Sequence, residues 1–389
     1  MPPARGFADT AEVTSTLTAE RVRGDVEVLS RAGLDLETFL SEAVASVSRA
    51  VPWVSACIGT HDPATRMLTS SRKFGDLAGR NSHDGLFGQI EYDSAEATSY
   101  PEIAGSGVRA LGVHLWFSGD VERSERMSRL MLPKFDYHDE ARLTFLEGGR
   151  FWGGMALFRG SDDEPFGADE VDYLSTLSES FGRGVRAGLL TRLADASPPD
   201  SVGGPAVMVV NADGELVQST PAAAARLAEM SSAAHAGAPY ATITALVGAA
   251  RRLARGEADA MPHARVRTAH GVWLVLHASP LSGLGDRDGD VVVTIEEARP
   301  PEIVSLVVAA FDLTARERDV TQLVLQGVDT KEIAATLHMS AYTVQDHLKS
   351  VFDKADVRSR RELIARVFFD QYVPRLGADV GPSGFFNAG

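Results

Sequence analysis

Signals for the start of a helix recur at short intervals between Leu313 and Glu362, and they constrain the fold of this chain more than any other feature. The Thr314 hydroxyl can accept the amide of Glu317, while the Glu317 carboxylate can reach back to the amide of Thr314. Apolar residues follow at spacings of three and four, and Gly327 suits the left-handed position that ends a helix. The segment therefore predicts a helix between Thr314 and Gly327.

Three further helix starts are predicted downstream. Thr330 is expected to cap a second helix, Ser340 a third, and Ser359 with Glu362 a fourth. Residues 338 and 339 then form the tight turn between the second helix and the third. Two short helices joined in this way make a helix-turn-helix, whose second helix fits the ~12 Å major groove of DNA.

The third helix is predicted to have one apolar and one polar face. Positions 344, 348, 351 and 352 are apolar and recur at helical spacing. The opposite face carries Tyr342, Gln345, Asp346, Lys349 and Asp353. A polar outward face leaves this helix free to contact a partner.

Residues 313–320 (LTARERDV) and 327–360 (GVDTKEIAATLHMSAYTVQDHLKSVFDKADVRSR) are similar to the LuxR-type helix-turn-helix. The similarity lies in the motifs Leu-Thr-x-Arg-Glu, Lys-Glu-Ile-Ala and Thr-Val at fixed spacings, and it covers about the last sixth of the chain. The resemblance implies a sequence-specific transcription regulator that binds double-stranded DNA.

The resemblance also implies which residues touch DNA. Base-edge contacts are expected just after Thr-Val and four residues further on, and phosphate contacts at the helix starts and lysines. The base-edge candidates are Gln345, Asp346 and Lys349, and the phosphate candidates are Thr330, Lys331, Thr343 and Lys354. The position after Thr-Val is commonly lysine in the family, so Gln345 followed by Asp346 predicts weak affinity or a particular site sequence.

The charge distribution agrees with a DNA contact at this end only. The chain has a net charge of -15, whereas residues 312–375 contain ten Lys or Arg and ten Asp or Glu. The acidic excess therefore lies outside this segment, where it should repel DNA.

Composition indicates a folded protein without a cysteine-based metal site. Apolar residues make up 44% and charged residues 23%. Cys57 is the single cysteine, which excludes an intrachain disulfide and thiolate zinc sites. The N-terminus lacks a signal-peptide pattern and no apolar stretch has the length of a membrane helix, so a cytoplasmic protein without membrane contact is expected. No catalytic residue, cofactor or metal is predicted; residues 61–63 and 138–140 are interpreted as turns or solvated loops.

Residues 34–190 read as helix, strands and helix, which predicts an α+β domain around an antiparallel sheet. This order, with residues 142–159 and 165–171, resembles a GAF domain and implies a small-molecule sensor. Residues 74–107 show no pattern that predicts a structure. Trp53, Trp116 and Trp152 are candidate pocket residues, although aromatic side chains are more often core.

The remaining boundaries follow from composition and pattern. Residues 191–204 form a linker rich in Pro, Gly, Ser and Asp, and residues 205–299 resemble a smaller α+β PAS domain. An all-α, four-helix domain with the helix-turn-helix spans 300–376. A helical lead-in (1–33) and a flexible tail (377–389) complete a multidomain chain.

These elements predict a one-component regulator that responds to an unknown small-molecule effector. A homodimer on a pseudo-palindromic operator is expected, with Val367 and Phe368 as pairing candidates and RNA polymerase as a further partner. Two alternatives stay open: a signal-transfer or ligand-binding module whose helix-turn-helix contacts protein, and a sigma-factor-like polymerase specificity subunit.

Overall fold

The first part of the chain folds around an antiparallel sheet, which confirms the predicted α+β class. The computed structural model describes residues 7–94, 96–191, 204–230, 239–268, 271–282 and 289–368. The strands are β1 (Ser55–His61), β2 (Leu68–Gly75), β3 (Ala110–Gly112), β4 (Tyr137–Glu147) and β5 (Arg150–Gly160), in the order β2-β1-β5-β4-β3. Gly148 and Gly149 both adopt positive φ in the β4–β5 turn, a conformation that glycine reaches without steric cost.

Helices cover both faces of this sheet. One face packs against α1 (Phe7–Arg31), α2 (Leu36–Val47) and α7 (Ala168–Leu189). The other face packs against α3 (Asp84–Asp93), α4 (Tyr100–Gly105), α5 (Val113–Trp116), a 3₁₀ turn (Val121–Arg123), a π-helical turn (Met127–Met131) and α6 (Leu132–Phe135). Side chains alternate along β5, and a bulge at Trp152 shifts this alternation by one residue. Trp152 and Leu157 therefore enter the first core, whereas Phe151 and Phe158 enter the second.

A second five-stranded antiparallel sheet follows. Its strands are β6 (Ala206–Val210), β7 (Leu216–Ser219), β8 (His263–Arg267), β9 (Trp273–Pro280) and β10 (Val291–Glu297), in the order β7-β6-β10-β9-β8. Helices α8 (Pro221–Met230) and α9 (Pro239–Ala254) accompany it. Both sheets thus place their strands in the same order: second, first, fifth, fourth, third.

The two α+β units meet where α3 crosses α9. A Cβ on Gly88 would lie 2.1 Å from Thr244 Oγ1, and one on Gly248 would lie 2.9 Å from the Asp93 amide. Glycine is therefore needed at both positions for the helices to approach this closely. Tyr92 of α3 belongs to the same apolar cluster as the interior of the second sheet.

The C-terminal part is helical. It contains α10 (Pro300–Ala310), α11 (Ala315–Leu325), α12 (Thr330–Thr336), α13 (Ala341–Lys354) and α14 (Arg360–Phe368). Helix α10 adds a fifth helix to the four that were predicted. Its Ile303 and Leu306 pack into the first core, while Val307 packs with α11–α14. Helix α10 therefore joins the sensor-like units to the helix-turn-helix.

The predicted boundaries fall partly on residues that lie outside the description. These are most of the 191–204 linker, the first residues of the lead-in and the chain from residue 369, including the 377–389 tail. Residues 7–31 of the lead-in form α1, which packs against the first domain. None of the helices in the described ranges has both the length and the apolar character to cross a membrane.

Candidate nucleic-acid interface

The helix-turn-helix begins with the capping box that the sequence predicts. The Thr314 hydroxyl accepts the Glu317 amide at 3.3 Å, and Glu317 Oε2 accepts the Thr314 amide at 2.7 Å. Gly327, just beyond the end of α11, has φ +84°. Side chains thus satisfy two of the free amides at the start of α11, and Gly327 lets the chain turn sharply after the last turn of the helix.

Glu317 also ties α11 to α13. Its Oε1 accepts the Ser350 hydroxyl at 2.6 Å, and its Oε2 accepts the Lys354 ammonium at 2.7 Å. Glu317 is buried, so this contact fixes the helix that would enter DNA relative to its support. The ammonium of Lys354 is held here and does not point freely toward a phosphate. Lys354 thus helps to position α13 on α11, and its phosphate contact stays a prediction.

The Glu317 contacts make the stability of this domain depend on pH. Burial alone would raise the pKa of Glu317, but hydrogen bonds from Lys354, Ser350 and Thr314 lower that pKa to about 2. A carboxyl whose pKa is depressed by folding contributes stability that is present above its ordinary pKa, near 4.5, and is lost as pH falls toward 2.

We expect Glu317→Gln to lower the free energy of unfolding at pH 7 by roughly 2–3 kcal/mol. The difference from wild type should shrink when urea unfolding, followed by circular dichroism, is repeated at about pH 2.5, where the native carboxyl is partly protonated. Glu332→Gln, at an exposed position on α12, is the matched control and should change little. An equal loss at both pH values would contradict this role of Glu317.

The second helix is capped one residue earlier than predicted. Asp329 Oδ1 accepts the amides of Lys331 and Glu332 at 2.8 and 2.9 Å, and Thr330 is the first helical residue. A carboxylate is a stronger acceptor than a hydroxyl, which explains why Asp329 takes the cap. The predicted cap at Thr330 is therefore wrong, although Thr330 and Lys331 still lie at the N-terminal end of α12.

The turn and the third helix agree with the prediction. His338 adopts φ +55° between α12 and α13, a conformation that is uncommon outside glycine. Ser340 caps α13 by accepting the Thr343 amide at 3.0 Å, and the hydroxyls of the two residues lie 2.8 Å apart. Thr343 therefore sits at the N-terminal end of α13, where helix amides can face an anion.

The outward face of α13 presents the three base-edge candidates together. Gln345, Asp346 and Lys349 are exposed, and no described residue pairs with their side chains. Tyr342 on the same face is 77% exposed. Val344, Leu348 and Val351 are buried on the opposite face. The arrangement is a rigid helix with free polar groups on its solvent side.

The candidate pairing residues are placed differently from the prediction. Val367 is fully buried within the helical domain, and Phe368 is half-buried against the same cluster. Helix α10, which the sequence reading did not anticipate, packs against α14. Val367 is therefore a core residue of its own protomer, and it offers no surface to a second copy.

A cavity lies between the β1-β2-β5 face of the first sheet and helices α3, α4 and α6 with the π-helical turn, and Ala241 of α9 also lines it. The volume open to the centres of water molecules is about 40 Å³, several times the ~10–15 Å³ that one water requires. Its lining does not include the three candidate tryptophans. Trp152 points to the opposite core, Trp53 packs against that same core, and Trp116 is 48% exposed.

A buried ion cluster stands beside this cavity. Glu91 on the cavity wall binds Arg142 at 2.7 Å and Arg126 at 3.3 Å, and Glu140 binds Arg126 at 2.7 Å. All four side chains are at most 1% exposed. Burial would raise the pKa of Glu91, but Arg142 and Arg126 hold it below its usual range. Residues 74–107, which showed no sequence pattern, thus supply Glu91, the buried carboxylate that pairs with both arginines.

A second ion pair joins the two sheets to α10. Asp62, next to the cavity residue His61, binds Arg265 of β8 through two contacts of 2.6 Å. Arg265 also donates to the Glu302 carbonyl at 3.1 Å and to the Ser305 hydroxyl at 2.9 Å, both on α10. Residues 61–63 were interpreted as a plain turn, and nothing in the sequence signalled this contact.

Helix α10 is also held at its other end. Arg186 of α7 donates to the Ala310 carbonyl at 2.9 Å and lies 3.0 Å from Glu147 and 3.5 Å from Asp312. Both α+β units therefore contact the helix that precedes the helix-turn-helix. Among the described residues, no group of three or more His, Cys, Asp or Glu is placed to hold a metal ion.

Helices α11–α14 and the exposed face of α13 define a helix-turn-helix protein. The family model "Bacterial regulatory proteins, luxR family" matches residues 312–367. The spore germination protein GerE of Bacillus subtilis is 38% identical over 55 residues, which are 14% of this chain and 74% of that protein. The chain therefore belongs to the luxR family of bacterial regulatory proteins.

Two other proteins are similar to parts of this chain. The monoamine regulon transcriptional regulator of Klebsiella aerogenes is 41% identical over 56 residues, 14% of this chain and 25% of that protein. The chain thus spans about a quarter of the length of this relative. The GAF domain of an Acinetobacter phosphoenolpyruvate-protein phosphotransferase overlaps 44% of this chain and 92% of its own at 14% identity, with a TM-score of 0.30. That score supports no inference about function.

Proposed function

We propose that this chain is a one-component transcription regulator that binds operator DNA through α13 and responds to a small molecule through its front half. The observation that carries the proposal is the outward face of α13. Gln345, Asp346 and Lys349 are exposed and unpaired among the described residues, on a helix that Glu317 fixes in place. A helix of this kind fits the major groove, where such side chains can read base edges.

The three base-edge residues make different contacts. Gln345 can bond an adenine through two hydrogen bonds, Lys349 can reach guanine O6 and N7, and Asp346 can accept only from cytosine N4. Thr330, Lys331 and Thr343 lie at the N-terminal ends of α12 and α13, where phosphate contacts form. The face as a whole carries little net positive charge, so base contacts should contribute much of the specificity.

The proposal includes a homodimer on an inverted repeat and contact with RNA polymerase at the promoter. One α13 touches few base pairs, and two-fold pairing doubles the number. Because Val367 is fully buried in the protomer's own core, it cannot itself face a second copy, whereas the half-buried Phe368 stays a pairing candidate. Residues 34–190 and 205–299 are assigned as GAF-like and PAS-like units, and 300–376 as the DNA-binding unit.

Selection from random duplex DNA tests this function. Wild type should retain an inverted-repeat motif. Lys349→Ala and Gln345→Ala should each relax the sequence preference at one position of the half-site. Each should also weaken the free energy of binding to the selected duplex by about 1–3 kcal/mol. Lys134→Ala, an exposed lysine on α6, removes the same charge away from α13 and should retain the wild-type motif.

Two outcomes would redirect the proposal. Retention of no motif would favour a helix-turn-helix that contacts protein, a role that the Asp346 carboxylate on the exposed face suits. A motif that is retained only together with the polymerase core would favour a sigma-factor-like specificity subunit.

A further inference from the structure

The cavity of the first domain has mostly apolar walls. Its aliphatic and aromatic lining comes from both the sheet and the helices and includes Leu68, Leu77, Phe87, Leu130, Met131 and Phe158. Walls of this type stabilise a ligand through burial of apolar surface and leave few hydrogen bonds to be made. The cavity is therefore suited to a compact, largely apolar molecule.

The ionised groups on the wall are already paired. Asp84 binds Lys73, and Glu91 belongs to the cluster in which two arginines face two glutamates. Burial lowers the pKa of His61 to about 3, so this side chain is neutral at physiological pH. A charged ligand would bring an ion into the cavity without a free counter-charge, and an unpaired buried ion is strongly disfavoured.

Three buried polar atoms of the cavity lining have no hydrogen-bond partner among the described residues: the Tyr100 hydroxyl, Asp84 Oδ2 and His61 Nδ1. The Tyr100 hydroxyl is buried and makes no hydrogen bond with any described residue, and the whole residue is 5% exposed. Its ring is fixed from both sides, because the Arg142 guanidinium lies 3.8 Å from the ring centroid and a Cβ on Gly154 would lie 2.2 Å from the ring. A buried hydroxyl without a partner is unfavourable, so this group is ready to bind a ligand atom.

The unpartnered oxygen of Asp84 extends the polar site. Asp84 Oδ2 is buried without a hydrogen bond, although Oδ1 of the same carboxylate binds Lys73. Tyr100 can donate to a ligand oxygen, and Asp84 Oδ2 can only accept from a ligand hydroxyl. Both residues line the same cavity.

We infer that the cavity binds a compact, uncharged, largely apolar molecule with one hydroxyl or carbonyl group, and that the Tyr100 hydroxyl holds this group. The inference rests on the proposed function only in treating the ligand as an effector. The cavity neighbours Asp62, whose partner Arg265 contacts α10, so an occupant could alter the support of the helix-turn-helix.

Calorimetric titration of the full chain without DNA tests the inference with probes of one ring size. Phenol carries a neutral hydroxyl and cyclohexanone a neutral carbonyl. Benzoate is negatively charged, benzylamine is positively charged, and toluene has neither a polar group nor a charge. We expect phenol or cyclohexanone to bind, and benzoate and benzylamine to bind at least tenfold more weakly. Tyr100→Phe should weaken the neutral polar probe about tenfold and leave toluene unchanged.

Two further variants keep the result interpretable. Ala156→Leu fills the cavity from β5 and should abolish binding, whereas Tyr240→Phe removes an exposed hydroxyl outside the cavity and should have no effect. The inference is overturned if neither phenol nor cyclohexanone binds, if a charged probe binds as tightly, or if Tyr100→Phe binds like wild type. The calorimetric result does not depend on whether the chain binds DNA, and the result of the DNA selection does not depend on whether the cavity binds a probe. The two proposals can therefore fail separately.

Discussion

Glu91→Gln is expected to lower the free energy of unfolding of the first domain by about 3–5 kcal/mol, because it leaves two buried arginines with one carboxylate. The substitution keeps the volume of the side chain and removes only its charge. Arg126 and Arg142 are fully buried, so neither is exposed to bulk water that would compensate for the lost partner. The remaining Glu140 lies 2.7 Å from Arg126 but 3.7 Å from Arg142, which would be left the less compensated of the two.

Urea unfolding followed by circular dichroism measures this loss, with hydrogen exchange to show which domain opens, since a chain of several domains need not unfold in one step. Glu122→Gln, in the exposed 3₁₀ turn, is the matched control and should change stability by less than about 0.5 kcal/mol. A loss of less than about 1 kcal/mol for Glu91→Gln would mean that the cluster is not held together by charge.

Asp62→Asn is expected to lower the free energy of unfolding by about 3 kcal/mol, because it leaves the buried Arg265 without its carboxylate partner. Arg265 then keeps only its contacts to α10 and no longer ties that helix to the first sheet, so α10 should become more mobile. Asp62 is 1% exposed, and Arg265 binds it through two nitrogen atoms. Hydrogen exchange should rise first in α10, which this arginine joins to both sheets. DNA affinity should change as well if the position of α10 governs the helix-turn-helix.

A double-mutant cycle separates the ion pair from general damage. Asp62→Asn combined with Arg265→Gln should be less destabilised than the sum of the two single variants, since no unpaired charge remains. Asp76→Asn, at an exposed position after β2, serves as the control for loss of an acid in the same domain. Additive effects in the cycle, or unchanged exchange in α10, would show that the pair does not couple the domains.

Local signals predicted the helix-turn-helix well. The capping box of Thr314 and Glu317, the cap at Ser340 and the polar face of α13 depend on residues within a few positions of each other, so the sequence alone displays them. The exception, Asp329 in place of Thr330, arose because two capping residues stand side by side. The second function of Glu317 depends on residues 33 and 37 positions away and was not predictable.

The cavity and the domain junctions depend on distant residues, and the sequence did not reveal them. Asp62 and Arg265 are 203 positions apart, and Glu91 and Arg142 are 51 apart. Helices α3 and α4 are short, and α3 carries the buried carboxylates of Asp84 and Glu91, so neither helix shows the apolar periodicity that identifies a helix. The three tryptophans were proposed as pocket residues by residue type alone, whereas the direction of the Trp152 side chain is fixed by its register in β5.

The central claim, that α13 binds DNA, is tested most directly by the salt dependence of binding to the selected duplex. The logarithm of the wild-type binding constant should fall linearly with the logarithm of the salt concentration. The slope should be about −0.9 for each phosphate contact. Lys331→Ala should reduce the slope by about one, while Lys349→Ala should mainly reduce discrimination against a scrambled duplex. Affinity that does not change between about 50 and 200 mM salt, or that is equal for both duplexes, would contradict the claim.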